Sequence, residues 1–180
     1  MKLLIDTATK YLIVALLDDK VISQTILEGH NDHSKTLMVE IEKILESNAL
    51  SVDDIDEIIV GEGPGSYTGV RIGVVVAKTM AYALDIPLYK VSSLNVLATS
   101  SEGEVPVMID ARRGSVFSAV YKGNNILIEE KMRSLEEFES LIEKEPITIN
   151  NMDLNLHRLE PVKVDDIHTF SPNYLRQWGE

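Results

Sequence analysis

The sequence predicts an α/β protein of two half-domains with mixed sheets, and three observations support this class. The chain opens with three short β-prone runs separated by turn residues, which predict a meander of antiparallel strands. A buried strand then leads through a glycine-rich turn into an apolar helix, a unit typical of α/β proteins. The acidic loop 100–104 collects turn formers and interrupts the apolar pattern, so we place the boundary between half-domains 1–100 and 101–180 there.

The elements of the first half follow from local patterns. The three opening strands are predicted at Lys2–Ala8, Tyr11–Leu17 and Val21–Leu27. An amphipathic helix follows at Ser34–Glu46, because its apolar residues share one helical face. Ser51 and Asp54 predict a capping box on a short helical turn. The remaining elements are the strand Ile55–Val60, the helix Thr68–Leu84, the strand Leu88–Val91 and the helix Ser93–Thr99.

The second half is predicted to contain strands and one helix. The strands are expected at Val105–Asp110, Ser115–Lys122, Asn125–Lys131 and Ile147–Asn150, with the helix at Leu135–Glu143. The sequence after residue 150 predicts no element.

In the first half, three antiparallel strands are followed by helix, strand, helix and strand. That order is typical of a ribonuclease-H-like half of the actin, Hsp70 and sugar-kinase fold.

Composition and charge limit the functional class. Of 180 residues 44% are hydrophobic, which is enough for a packed core, and none is cysteine, which excludes disulfides, thiolate metal sites and a cysteine nucleophile. The net charge of -12 argues against direct binding of a polyanion, because nucleic-acid affinity depends on lysine and arginine neutralising phosphates. The chain shows no signal peptide and no apolar run of membrane-spanning length. We therefore expect a cytoplasmic protein without membrane contact.

The glycine-rich turn between Gly61 and Gly73 marks the expected functional surface. Its glycines and Pro64 let a strand reverse tightly into a helix. Backbone amides at a helix N-terminus attract anions, but the turn lacks the Lys-Ser/Thr pair of a P-loop and the spacing of GxGxxG. The turn is therefore only a weak nucleotide-binding motif.

Small residues recur at every fourth position from this turn along the following helix. They are Gly65, Gly69, Gly73, Ala77 and Ala81. Such a stripe allows close approach either of a partner helix or of the chain's own sheet, and both interpretations stay open. The residues beside the stripe are also apolar, so the helix has more apolar faces than one sheet can cover, and we expect a partner surface there.

Five segments together resemble the TsaB (YeaZ) family over the whole chain. They are Ile5–Ala8, His33-Ser34, Gly63–Gly73, Ile109–Arg113 and Pro172–Arg176, of which the glycine segment is the most specific. The resemblance implies a bacterial protein that assists synthesis of N6-threonylcarbamoyladenosine at position 37 of tRNA. It implies a non-catalytic scaffold with no required cofactor. The second half is shorter than is usual in the family.

The resemblance also implies partners. Members pair with the catalytic paralogue TsaD through the two helices of the first half, the ATPase TsaE joins the assembly, and tRNA is contacted only through the complex. A homodimer forms through the same surface when TsaD is absent. The expected interface consists of His33, Leu37, Met38, Ile41, Leu45, Gly69, Arg71, Gly73, Val74, Ala77, Met80 and Ala81. A homodimer without any enzyme partner is a further alternative.

A free-standing actin-fold ATPase or small-molecule kinase is the competing function. Asp6 and Thr7 end the first strand, Asp110 ends a strand of the second half, and with Gly63 and Gly65 they could hold ATP or ADP with Mg²⁺. Turn formation explains the same residues, because no lysine or long phosphate hairpin accompanies them.

Metal-ligating and nucleophilic candidates are weaker. His30 and His33 could share a metal, with Asp32 as a third ligand, only on a helix, whereas the neighbouring Gly29 and Asn31 indicate a loop. We therefore predict no metal site. The hydroxyl residues Ser34, Ser66 and Thr68 occur in no nucleophile motif, and capping explains them better.

Overall fold

The computed structural model describes residues 1–28, 33–148 and 154–175, with the side chains of His33 and Ser34 excepted. The strands of the first half are β1 (Lys2–Asp6), β2 (Tyr11–Leu17), β3 (Val21–Glu28), β4 (Glu57–Gly61) and β5 (Leu88–Val91). Its helices are α1 (His33–Ser47), α2 (Tyr67–Leu84) and α3 (Ser93–Ala98), with a 3-10 turn at Val52–Asp54. The second half contains β6 (Glu104–Arg112), β7 (Ser115–Lys122), β8 (Asn125–Ser134), α4 (Leu135–Ser140), a 3-10 turn at Leu156–Arg158 and β9 (Val162–Lys163).

The first sheet has six strands in the order β3-β2-β1-β4-β5-β9. The opening meander is antiparallel, whereas β1, β4 and β5 run parallel, with Leu3 of β1 opposite Ile58 of β4. Helices α1 and α2 provide the long crossover connections that parallel strands need. The mixed sheet predicted for the first half is thus present, with the predicted order of elements.

The sheets and helices stack in four layers. Along β1, Leu3 and Ile5 point to the side covered by α1 and α2, and Leu4 points to the opposite side, as alternation along a strand requires. On that opposite side lie α3 and the second sheet, which has the order β6-β7-β8. Helix α4 covers the far face of the second sheet through the buried Phe138.

The C-terminal residues return to the first half. After β9, which pairs with β5, residues 164–175 run along α2, and we call this segment the C-terminal strap. The amide of Val164 donates to the carbonyl of Leu88 at 2.9 Å, and that of Asn173 donates to the carbonyl of Glu62 at 2.7 Å. Ile167 packs against the core beneath the helices. Residues beyond the predicted boundary thus join the first sheet through β9. The boundary between residues 100 and 101 stays a prediction.

Two predicted elements of the second half are shorter in the structure. The last helix ends at Ser140 rather than Glu143, where the amide of Leu141 closes a tight turn on Phe138. The predicted strand from Ile147 is reduced to a bridge at that residue, with backbone hydrogen bonds to β6, and residues 149–150 lie outside the described part. Within the described ranges, no helix combines the length and apolarity needed to cross a membrane.

Candidate functional site

The glycine turn is anchored by hydrogen bonds to its surroundings. Ser66 caps α2, because its Oγ accepts from the amide of Gly69 at 3.3 Å. The amide of Ser66 itself donates to the carbonyl of Ala8 at 2.6 Å, and the amide of Gly63 donates to Oγ of Ser93 at 3.2 Å. The backbone donors of Gly63, Ser66 and Gly69 are therefore already bonded within the chain.

The small-residue stripe packs on the chain's own first strand and the loop after it. A Cβ added at Gly65 would fall on the carbonyl of Ala8, one at Gly69 on the carbonyl of Thr7, and one at Gly73 on the hydroxyl of Thr7. That hydroxyl donates to the carbonyl of Gly69 at 2.7 Å. Of the two interpretations of the stripe, the structure has the one in which the helix approaches its own sheet.

Most residues of the expected interface are buried within this chain. Those in the core are Leu37, Ile41, Leu45, Gly69, Gly73, Val74, Ala77 and Ala81. Met38 and Arg71 are exposed and Met80 is partly exposed, so these residues are accessible to a partner. The side chain of His33 lies outside the described part, as do residues 29–32 with the candidate metal ligands His30 and Asp32.

The outward faces of α1 and α2 still carry apolar side chains. Val75 is 60% exposed, Tyr82 70% and Met38 47%, and the two helices lie against each other. We call this surface the helix ridge; it comprises Met38, Val39, Ile72, Val75, Val76, Met80 and Tyr82. A helix whose other side is buried on a sheet normally has a polar outward face, so the ridge is unusual for a surface facing only water.

Sequence reasoning recognised the apolar character of Val75 and Tyr82 but did not include them in the interface. Their position on the side of α2 away from the stripe could have indicated that they face outwards. Once Gly73 and Ala77 are assigned to the sheet, the opposite side of α2 must face outwards.

Arg71 has a partner in the C-terminal strap. Its Nε donates to the hydroxyl of Tyr174 at 2.7 Å, and its guanidinium carbon lies 4.0 Å from the ring centre of Tyr67. The two tyrosine rings are 4.9 Å apart, centre to centre. The hydrogen bond to Tyr174 is the main cause that raises the pKa of Arg71. The guanidinium of Arg71 is thus held by two tyrosines of the same chain.

Asp6 is a buried carboxylate beneath the glycine turn. Its side chain is 2% exposed, and Oδ1 accepts from the amide of Ala8 at 2.7 Å. Oδ2 makes no hydrogen bond to any residue in the described ranges. Burial raises the pKa of Asp6 to about 6, against the opposing effects of the Ala8 amide and the Ser93 hydroxyl.

Asp110 makes the same kind of turn but is exposed. Its Oδ1 accepts from the amide of Arg112, two residues further along the chain, at 2.8 Å. Oδ1 of Asp6 accepts from the amide of Ala8 in the same way. Turn formation therefore accounts for both aspartates. Among residues 1–28, 33–148 and 154–175, no three His, Asp or Glu side chains gather as metal ligands. Binding of ATP or ADP with Mg²⁺ stays a prediction.

Two clefts lie away from these residues. One of about 350 Å³ is lined by Glu102, Asn155 and Arg158 among others, and one of about 210 Å³ lies between Lys2 and Tyr89. Neither cleft is lined by Asp6, by Asp110 or by the glycine turn.

The burial of Asp6 predicts a pH-dependent stability. The fold raises the pKa of Asp6 from 3.8 to about 6, so folding favours the protonated carboxyl group. The resulting stabilisation of the folded protein is fully present below pH 3.8 and is lost as the pH rises through 6. The corresponding loss in the free energy of unfolding is roughly 3 kcal/mol. Asp6→Asn keeps the acceptor for Ala8 and cannot ionise. We expect this variant to match wild type near pH 4 and to be about 1–3 kcal/mol more stable above pH 7 in urea unfolding.

Asp110→Asn is the matched control, because that carboxylate makes the same turn bond while exposed. We expect the free energy of unfolding of this variant to stay close to that of wild type in the same urea experiments. A stability difference between Asp6→Asn and wild type that is constant across pH would contradict the buried-carboxylate explanation.

Comparisons with known proteins find a TsaD family model and TsaB relatives, both named for the same modification of tRNA. The sequence model of "TsaD: tRNA N6-adenosine threonylcarbamoyltransferase" matches residues 20–171. The "tRNA threonylcarbamoyladenosine biosynthesis protein TsaB" of Bacillus subtilis is 39% identical over 166 residues, which cover 87% of this chain and 72% of that protein. The protein of the same name from Escherichia coli is 35% identical over 125 residues, covering 67% of this chain and 54% of the relative.

A solved structure shares the fold. YeaZ from Pseudomonas aeruginosa superposes with a TM-score of 0.75 at 23% identity, covering 97% of this chain and 99% of that one. A second Pseudomonas aeruginosa structure, described as similar to peptidase YEAZ, gives a TM-score of 0.78 with the same coverage. The predicted actin- and sugar-kinase-like fold class is confirmed.

Proposed function

Because this chain belongs to the TsaB (YeaZ) family, we propose that it is a non-catalytic scaffold in tRNA N6-threonylcarbamoyladenosine synthesis. It acts by docking the catalytic paralogue TsaD on the helix ridge. The observation that carries this proposal is the apolar outward face of α1 and α2, where Val75 and Tyr82 remain largely exposed although the small-residue stripe is already buried. Apolar helix faces of this kind are typical of protein interfaces.

A scaffold fits the glycine turn better than the competing ATPase or kinase does. A phosphate site needs free backbone donors, yet the amides of Gly63, Ser66 and Gly69 donate within the chain. The carboxylate of Asp6 is buried against Ala8 rather than presented to a ligand. These contacts favour a turn that supports α2 over one that binds nucleotide.

The other members of the assembly follow from the same proposal. The ATPase TsaE joins the complex of this chain with TsaD, and a homodimer forms through the ridge when TsaD is absent. We place the assembly in the cytoplasm. The net charge of -12 disfavours direct contact with tRNA, so the RNA is bound through the partners.

A titration of this chain with TsaD from the same organism tests the proposal. We expect saturable binding with one TsaD per chain, measured by isothermal titration calorimetry, and a shift of the homodimer to the mixed complex in size-exclusion chromatography. A titration that shows no binding, with both proteins folded, contradicts docking.

A further inference from the structure

Arg71 lies at the edge of the helix ridge with its side chain held in place by two aromatic residues. It precedes Val75 by four residues, so the two side chains are neighbours along the same side of α2. Tyr67 stacks beneath the guanidinium, with 4.0 Å from the guanidinium carbon to the ring centre. Tyr174 of the C-terminal strap accepts the Nε hydrogen at 2.7 Å.

This arrangement fixes the orientation of the guanidinium. Stacking on one ring and the hydrogen bond at Nε use one face and one of the five N–H donors, which leaves the four donors of the two Nη groups for a further acceptor. No carboxylate of residues 1–28, 33–148 or 154–175 lies within ion-pair distance of Arg71. An exposed cation is thus oriented in advance without an anionic partner from the described chain.

An oriented guanidinium fork matches one ligand class especially well. A carboxylate accepts two parallel hydrogen bonds from such a fork, and holding the fork in advance lowers the entropy lost on binding. A polyanion fits less well, because the net charge of -12 repels an extended row of phosphates. A single acidic side chain on a docked protein is therefore the favoured occupant.

We propose that Arg71, positioned by Tyr67 and Tyr174, binds an acidic side chain of TsaD at the edge of the helix ridge. The inference rests on the proposed docking of TsaD and adds its charged contact. It also gives the C-terminal strap a role, because the strap supplies Tyr174 from a position 103 residues further along the chain. Tyr67 and Tyr174 are positioning residues, and Arg71 makes the contact.

The test compares TsaD affinity of folded variants at low and high salt. At about 50 mM salt we expect Arg71→Gln to bind about tenfold more weakly than wild type, and to lose part of the salt dependence that wild type shows up to about 500 mM. Arg71→Lys should bind with intermediate affinity, since it keeps the charge but not the fork. Tyr174→Phe removes one hydroxyl and should weaken binding about threefold.

Arg113→Gln is the matched control, because it removes an exposed arginine from the turn between β6 and β7, in the second half. We expect wild-type affinity and salt dependence from it. If Arg71→Gln also binds TsaD with wild-type affinity and salt dependence while Val75→Asp abolishes binding, the proposed carboxylate contact is wrong, but docking on the helix ridge is supported. If wild type itself does not bind TsaD, both the proposed function and the proposed contact of Arg71 are wrong.

Discussion

Val75→Asp is expected to weaken binding of TsaD by at least about a hundredfold. Val75 is 60% exposed near the middle of α2, where docking would bury it against the partner. An aspartate there would have to lose its hydration in an apolar contact, and an unpaired buried charge costs several kcal/mol. The free protein should fold normally, because the substituted side chain faces solvent in the absence of TsaD.

Val162→Asp is the matched control for this experiment. Val162 is 61% exposed, so the chemical change and the starting exposure are the same, but it lies on the edge strand β9 rather than on the ridge. We expect wild-type affinity from it by calorimetry. Equal affinities of the two variants for TsaD, both folded by circular dichroism, would contradict the ridge as the docking surface.

Gly73→Leu is expected to destabilise the folded protein by more than about 4 kcal/mol. The new Cβ would fall on the hydroxyl of Thr7, and the rest of the side chain would have to displace β1 near Ile5. Strand β1 pairs with both β2 and β4, so it cannot move without breaking the sheet. Overpacking of this kind combines steric strain with the loss of the Thr7 to Gly69 hydrogen bond.

Ala83→Leu provides the control for Gly73→Leu, because it enlarges an exposed residue of the same helix. We expect its urea unfolding midpoint to stay close to that of wild type, whereas Gly73→Leu should be insoluble or unfolded. A Gly73→Leu protein within about 1 kcal/mol of wild type would contradict the packing derived for the stripe. The variant is therefore unsuitable as a probe of partner binding.

The sequence predicted elements well where the signal was local. The bounds of β2, β5 and β7 agree with the predicted runs, and the capping box at Ser51 and Asp54 is present. Alternation, helical periodicity and capping depend on neighbouring residues only, so they can be recognised without knowing the fold.

The C-terminal strap could not be predicted in this way. Its position depends on contacts such as Asn173 with Glu62 and Tyr174 with Arg71, which join residues more than a hundred apart. The segment carries no regular period, and its contacts with α2 join residues that are far apart in the sequence.

The candidate site was predicted in part. The stripe of Gly69, Gly73 and their neighbours was recognised, but small residues allow close approach of a sheet and of a partner equally well. Only the position of β1 beneath α2 decides between them. That position also turns Val75 outwards, and so moves the expected docking surface from the stripe to the helix ridge.

Docking of TsaD on the helix ridge is tested most directly by the amount of N6-threonylcarbamoyladenosine in bulk tRNA, measured by nucleoside mass spectrometry after depletion of this protein. We expect the modification to fall on depletion. Wild type, Val162→Asp and Asp6→Asn should restore it, whereas Val75→Asp, although folded, should not. An unchanged amount of the modification after depletion, or full restoration by Val75→Asp, would contradict the claim that this chain supports the pathway by docking TsaD on the helix ridge.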